Sequence, residues 1–208
     1  LLRSANACFP QAHLTVEDVV SSWAGVRALL DGGDAASASA VSREHIIRRG
    51  PGGMFTIAGG KLTTFRSMAA ELVDEVAAEL TRREGRSRPD PAPTDTEPLP
   101  GGEAADLAPM RQTVLDLGLG AATADHLLQH YGTEAAAICN LGRLERGLLA
   151  RLHPDHPAIE AEVVHHARRE LVTHIDDVLV RRIHLHYETP DHGAEAAPRV
   201  AALLGREL

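Results

Sequence analysis

Cysteine, lysine, aromatic residues and net positive charge are all in short supply in this sequence, and each shortage excludes something. Cys8 and Cys139 stand far apart, so they form neither a disulfide framework nor a cysteine-based metal motif, and they fit a reducing cytoplasm. Aromatics make up 3% of the residues, so any core must be mostly aliphatic. No apolar run is long enough to span a bilayer, and no secretory leader is visible. The formal net charge of -8 excludes nucleic acid or an anionic membrane surface as the main partner, since both reward a basic patch. A Gly-x-Gly-x-x-Gly fingerprint after a strand is also missing, and with it the element that grips an ADP moiety.

The residues that remain are organised around one stretch, Met54-Phe55-Thr56-Ile57-Ala58-Gly59-Gly60-Lys61-Leu62-Thr63-Thr64-Phe65-Arg66. It reads as a buried strand, a glycine turn and the start of a helix. Phe65, Met68, Ala69, Leu72, Val73, Val76, Ala77 and Leu80 recur at helical spacing, and Thr63 or Thr64 can cap the free amides. Paired glycines let the backbone approach a ligand closely, and helix-start amides favour negative charge. The turn is therefore a candidate anion site. It is not a Walker A loop, because Leu62 rather than Ser or Thr follows Lys61. Lys61 is the only lysine beside 20 arginines, so a compact ammonium is singled out at this place. The plainer alternative is a packing turn with a solvated lysine.

The segments before the turn are expected to feed it. Residues 2–10 read as a helix end and 15–18 as a capping box opening one short turn. Residues 22–27 read as a strand with Trp23 in a core and Arg27 at its end, 31–40 as a loop, and 41–49 as a strand. Gly50-Pro51-Gly52-Gly53 then turns the chain back into 54–58, giving a β-hairpin. That arrangement would let Arg27, Arg43 and Lys61 converge on one pocket.

After the central helix, 83–98 is polar and rich in proline and serves as a linker, dividing the chain into 1–82 and 99–208. The second part reads as helical throughout. Leu107, Met110, Val114 and Leu115 share a face closed by Gly118; Leu127, Leu128 and Tyr131 share one closed by Gly132. Thr133 opens 134–139, Leu144, Leu148, Leu149 and Leu152 make another helix, 157–185 makes the longest, broken once at most, and 193–204 the last. Among twelve histidines the best metal geometry is His166, Glu170 and His174 on one helical stripe, then His126 and His130. No recognised His-Glu motif accompanies them, so metal binding is not expected.

Gly-Gly-Lys-Leu-Thr-Thr-Phe-Arg from Gly59, preceded by Ser21-Ser22-Trp23-Ala24-Gly25-Val26-Arg27 and Ser42-Arg43-Glu44-His45, resembles the end of the flavin domain of the FAD-dependent glycerol-3-phosphate dehydrogenases. The segment Val172-Thr173-His174-Ile175-Asp176-Asp177-Val178-Leu179-Val180-Arg181-Arg182 is similar to part of their helical C-terminal domain. The resemblance implies an α/β fold, the end of an FAD-binding Rossmann-type domain with a hairpin substrate region, followed by an all-α C-terminal domain. It implies FAD as cofactor, sn-glycerol 3-phosphate as substrate and a quinone as electron acceptor. Arg27, Arg43 and Lys61 match the phosphate-binding positions; Gly59, Gly60, Lys61, Leu62 and Thr63 match the stretch against the flavin ring. The catalytic base matches nothing here and is expected upstream, in a longer enzyme of which this chain is the C-terminal piece, inactive alone. A cytoplasmic protein is implied, attached peripherally to the inner face of the cell membrane through parts outside this chain, and a homodimer. Two alternatives remain open: a glycerol-3-phosphate oxidase using oxygen, and a non-catalytic helical interaction module with a vestigial flavin-domain remnant.

Overall fold

The computed structural model describes residues 1–26, 44–85, 87 and 90–208. Cα packing divides them into two units, Ala24–Pro98 and Leu1–Trp23 together with Leu99–Leu208.

In the first unit, β1 (His45–Arg49) pairs antiparallel with β2 (Phe55–Gly59), with His45 opposite Gly59 and Arg49 opposite Phe55. The connection Pro51–Gly53 carries positive φ at Gly52 and Gly53, the conformation that two adjacent glycines supply most cheaply. A 3₁₀ turn, Leu62–Thr64, then leads into α2 (Phe65–Glu84), which ends on Gly85 in the left-handed region. The threonines do not cap as expected. Thr64 Oγ1 donates back to Lys61 O at 2.9 Å, and no side chain bonds the first amides of α2.

β2 was expected to be buried; it is half-buried at best. A hairpin of two strands backed by one helix covers a single face, so its second face stays open. The same shortage shows on α2, where no residue is fully buried. Met68, Leu72 and Val76 are half-buried, whereas Phe65, Val73 and Leu80 on the neighbouring part of the apolar face are exposed.

The second unit opens with α1 (Leu2–Cys8) and a 3₁₀ turn, Val16–Asp18. The expected capping box is present, with Thr15 N–H donating to Asp18 Oδ2 at 2.7 Å. No strand forms over 22–26. Trp23 is 73% exposed rather than in a core, its ring resting 4.8 Å from that of Tyr187. The expected loop over 31–40 and the start of the strand expected over 41–49 lie outside the described residues.

Helices α3 (Ala108–Asp116), α4 (Ala121–Tyr131), α5 (Ala135–Leu144), α6 (Glu160–Arg169) and α8 (Ala197–Glu207) surround one aliphatic core. α6 is its axis, since every residue from Ala161 to His166 is buried. Val114, Leu127, Ile138, Val163, Val164, Val200 and Leu203 are at most 1% exposed, and each such side chain contributes about 1.5–3 kcal/mol by leaving water. Gly132 ends α4 where a Cβ would lie 1.9 Å from Gly101 O, so only glycine lets these two backbones meet.

Of two helices read from the sequence, one is absent and the other is shorter and broken. Instead of one helix through Leu144 and Leu152, a 3₁₀ turn, Arg146–Leu149, precedes β3 (Arg151–His153), which pairs antiparallel with β4 (His156–Ile159). Pro154 and Pro157 disfavour helix in the residues before them and punctuate a hairpin. The long helix expected over 157–185 stops at Arg169, Leu171 takes φ 55°, and a π turn (Asp177–Arg182) and α7 (Leu185–Glu188) follow. Asp177 Oδ2 accepts the amides of Thr173 and His174, both at 3.0 Å, while Arg182 Nη2 donates to Glu170 O at 3.2 Å. These two locks end one helix and start another where apolar periodicity alone runs on.

The described strands form two antiparallel pairs and no parallel sheet. The helical C-terminal domain is therefore seen, with a small hairpin inserted in it. No helix among the described residues is long and apolar enough to cross a membrane.

Candidate functional site

The Gly-Gly-Lys turn borders an open hollow of about 460 Å3 lined by residues from β1, from the turn and 3₁₀ segment after β2, and from α2, including His45, Gly60, Lys61, Thr64, Met68 and Glu71. Gly59 and Gly60 both take positive φ, 79° and 80°. A Cβ on Gly60 would sit 2.5 Å from Met68 Sδ, so the flexible end of that side chain would have to shift, and the positive φ itself favours glycine. Lys61, Leu62 and Thr63 are exposed at the start of the 3₁₀ turn. The first amides of such a turn have no partner within it and point outward from the helix end.

Sequence reasoning missed the pair His45 and Glu71. His45 Nε2 lies 2.8 Å from Glu71 Oε2, which ties β1 to α2 at the edge of the hollow. The hairpin register could have found it, because it puts His45 opposite Gly59. Glu44 also lines the hollow, so two carboxylates and an imidazole border it together with Lys61. Arg49, Arg82 and Arg83 do not add to the cationic side, since all three converge on Glu79, Arg49 Nη2 at 2.5 Å. Arg27 and Arg43, expected to converge with Lys61, lie outside the described residues.

The donors at this turn are helix-start amides, the Lys61 ammonium and the Thr63 hydroxyl. They fit an electron-rich ring edge or one face of a phosphate, with backbone close by at Gly59 and Gly60. Nothing described here fits an adenosine or a pyrophosphate.

A second polar cluster lies inside the helical unit. Glu162, fully buried, accepts from His126 Nε2 at 2.8 Å, Tyr131 Oη at 2.7 Å and Ile159 N at 2.7 Å. Burial alone would raise the Glu162 pKa, but the bonds from His126, Tyr131 and Ile159 outweigh it and hold the carboxyl below its ordinary value. The one Tyr131 proton goes to Glu162, so His166 Nε2 must donate to Tyr131 Oη at 2.9 Å. His166 Nδ1 is left buried with no partner, and desolvation pushes the His166 pKa down to about 4. Glu162 is wholly shielded from solvent, and the cluster ties α4 to α6.

The expected stripe of His166, Glu170 and His174 does not exist, because α6 ends before Glu170. Three potential ligand atoms do come within 4.8 Å of one another, on His153, Asp191 and Glu195. His153 Nδ1 accepts the Asp155 amide at 3.1 Å, which leaves the ring proton on Nε2, 3.3 Å from Asp191 Oδ1. Asp191 further accepts from Thr189 Oγ1 and from the amides of Gly193 and Glu195. The His153 and Asp191 atoms are thus committed to anchoring a loop, while the exposed Glu195 carboxylate stands 4.0 Å from His153 Nε2.

The second unit decides the family. Residues 92–208 match the family model described as the C-terminal domain of alpha-glycerophosphate oxidase. The chain belongs to that family. It is 33% identical over 195 residues to the mitochondrial glycerol-3-phosphate dehydrogenase of Mus musculus, covering 92% of this chain and 26% of that protein. To a glycerol-3-phosphate dehydrogenase of Synechocystis it is 34% identical over 212 residues, covering 98% of this chain and 37% of the relative. A probable mitochondrial glycerol-3-phosphate dehydrogenase of Caenorhabditis elegans is 34% identical over 195 residues, with 92% and 26% covered. The chain thus spans between a quarter and two fifths of these relatives' length.

Proposed function

We propose that this chain is the C-terminal part of a flavoenzyme that oxidises sn-glycerol 3-phosphate to dihydroxyacetone phosphate and passes the electrons to a quinone. The observation that carries this reading is the conjunction of a solvent-facing Gly-Gly-Lys turn at a helix start with a helical unit of the alpha-glycerophosphate oxidase family. Ala24–Pro98 is then the end of the FAD-binding domain, and its half-open hairpin and the uncovered apolar side of α2 are what an element of a larger α/β layer would leave when considered by itself.

Lys61 binds the substrate phosphate as a point charge, joined by the planar forks of Arg27 and Arg43. Gly59 and Gly60 bring backbone against the ring of FAD, while Lys61, Leu62 and Thr63 offer amides toward its polar edge. When bound, FAD supplies the hydride acceptor. Placement is on the inner face of the cell membrane, by peripheral attachment.

The family model's own description, an oxidase, favours a second reading in which oxygen takes the electrons. Both readings are tested with the longer enzyme containing this chain. Glycerol 3-phosphate should reduce a quinone dye without matching oxygen uptake; oxygen uptake at the same rate selects the oxidase, and absence of both overturns the assignment.

A further inference from the structure

Helices α5 and α6 lie side by side, and between them is a second hollow of about 270 Å3 lined by Ala137, Asn140 and Leu141 from α5 and His165, Arg168 and Arg169 from α6. Each helix thus presents one face, at positions i, i+3 and i+4. No carboxylate lines the hollow, in a chain whose net charge is -8.

Its polar groups are unusually free. Arg169 has no ion-pair or hydrogen-bond partner among the described residues. Arg168 gives Nε and Nη2 to Glu207, at 2.6 and 3.0 Å, which fixes the guanidinium and leaves Nη1 unengaged. Asn140 Oδ1 accepts from Arg143 Nη1 at 2.8 Å, so the group Asn140 has left is its amide donor. His165 is only 4% exposed yet makes no hydrogen bond within the described protein; its nearest carboxylate oxygen, Glu170 Oε1, is 3.9 Å away. Its ring nitrogens are not sealed from solvent, so they stay open to a ligand; His165 and Arg169 also line a neighbouring hollow bordered by Glu134 and Glu170.

We propose that this hollow binds a small, soluble, phosphate-bearing anion. The donors come from two helices and so approach from different sides, which suits a tetrahedral anion better than a planar carboxylate. Arginine forks pair well with phosphate oxygens, and Ala137 and Leu141 provide an apolar floor for a short carbon stem. The volume is too small for a nucleotide. The site lies in the helical unit and is independent of the Gly-Gly-Lys turn.

Titration of the 208-residue chain with inorganic phosphate at low ionic strength, followed by calorimetry, tests this. We expect a saturable site with a Kd below about 1 mM, weakened at least tenfold by Arg169→Ala and unchanged by Arg181→Ala, whose side chain pairs with Asp177 elsewhere. Arg169 is exposed, so the variant should keep the far-ultraviolet spectrum of the parent. No saturable binding, or binding indifferent to Arg169→Ala, overturns the proposal. Vesicles bearing a phosphate-monoester headgroup form the second arm: cosedimentation without binding of free phosphate overturns the soluble ligand in favour of a lipid headgroup, and binding of free phosphate with no cosedimentation supports it.

Discussion

Two side chains carry most of what can be tested one residue at a time, and they belong to different units. Lys61 is the single ammonium of the chain and lines the hollow at the glycine turn. Charge-assisted hydrogen bonds contribute about 1.5–3 kcal/mol, so Lys61→Ala in the longer enzyme should lower kcat/KM for glycerol 3-phosphate by roughly 10- to 150-fold, with the flavin retained. Steady-state kinetics with a visible flavin spectrum check this; an unchanged kcat/KM removes Lys61 from the substrate site. Glu162, by contrast, is expected to matter for stability. It holds three donors in the interior, and Glu162→Gln would turn an amide N–H₂ toward groups that themselves donate. A loss of about 3–5 kcal/mol is expected, as when one partner of a buried pair is removed, measurable as a lower urea midpoint. A variant as stable as the parent would mean that the cluster is not the lock its geometry describes.

At the scale of elements, the strand-turn-helix around Gly60 is the most demanding local structure. Its backbone has φ 80° and its Cα faces Met68 Sδ. Gly60→Ala must therefore both hold a left-handed backbone, costing about 1–2 kcal/mol, and displace a methionine of α2. The expected outcome is a hairpin that separates from the helix, read as faster amide exchange in β1 and β2 while α3–α8 exchange as before. Gly60→Ala with Met68→Ala should recover part of the protection, because the shorter side chain removes the overlap but not the backbone strain. Equal protection in the parent and in Gly60→Ala would contradict the close approach.

For the molecule as a whole, pH reports on the histidines of the helical unit. His166 has its pKa lowered to about 4, while those of His156 and His165 are lowered as well, in each case first by burial. An unfolded histidine takes a proton below about 6.5, whereas folded His166 stays neutral down to about 4. The unfolded state then binds more protons, so stability is complete above about 6.5 and falls as the solution is acidified toward 4. His166 alone corresponds to a loss on the order of 3 kcal/mol across that window. Glu162 acts in the same sense at lower pH, since its folded pKa lies below 4.5. Urea midpoints of the helical signal at pH 7 and pH 4.5 should differ accordingly; equal midpoints would show that His166 is charged or solvated in the folded chain.

Local chemistry was legible in the amino-acid sequence where the cause is itself local. The turn at 50–53 needs glycines in the left-handed region, the helix from Phe65 needs only a recurring apolar face, and Thr15 reaches Asp18 across three residues. The family resemblance rests on such contiguous motifs and therefore showed through. What lay beyond reach depended on partners distant along the chain. Periodicity carries Ile159 through Ile183 as a helix broken once at most but does not say where; Asp177 bonding the Thr173 and His174 amides and Arg182 gripping Glu170 set the break. Histidines that looked like a ligand stripe are instead distributed by tertiary packing. His126 meets Glu162 from another helix, and His166 meets Tyr131. His45 joins Glu71 only because the hairpin folds onto α2. A buried carboxylate or imidazole takes whatever donor the packed neighbour presents, and that neighbour is chosen by the assembly of helices, which no spacing along the sequence encodes.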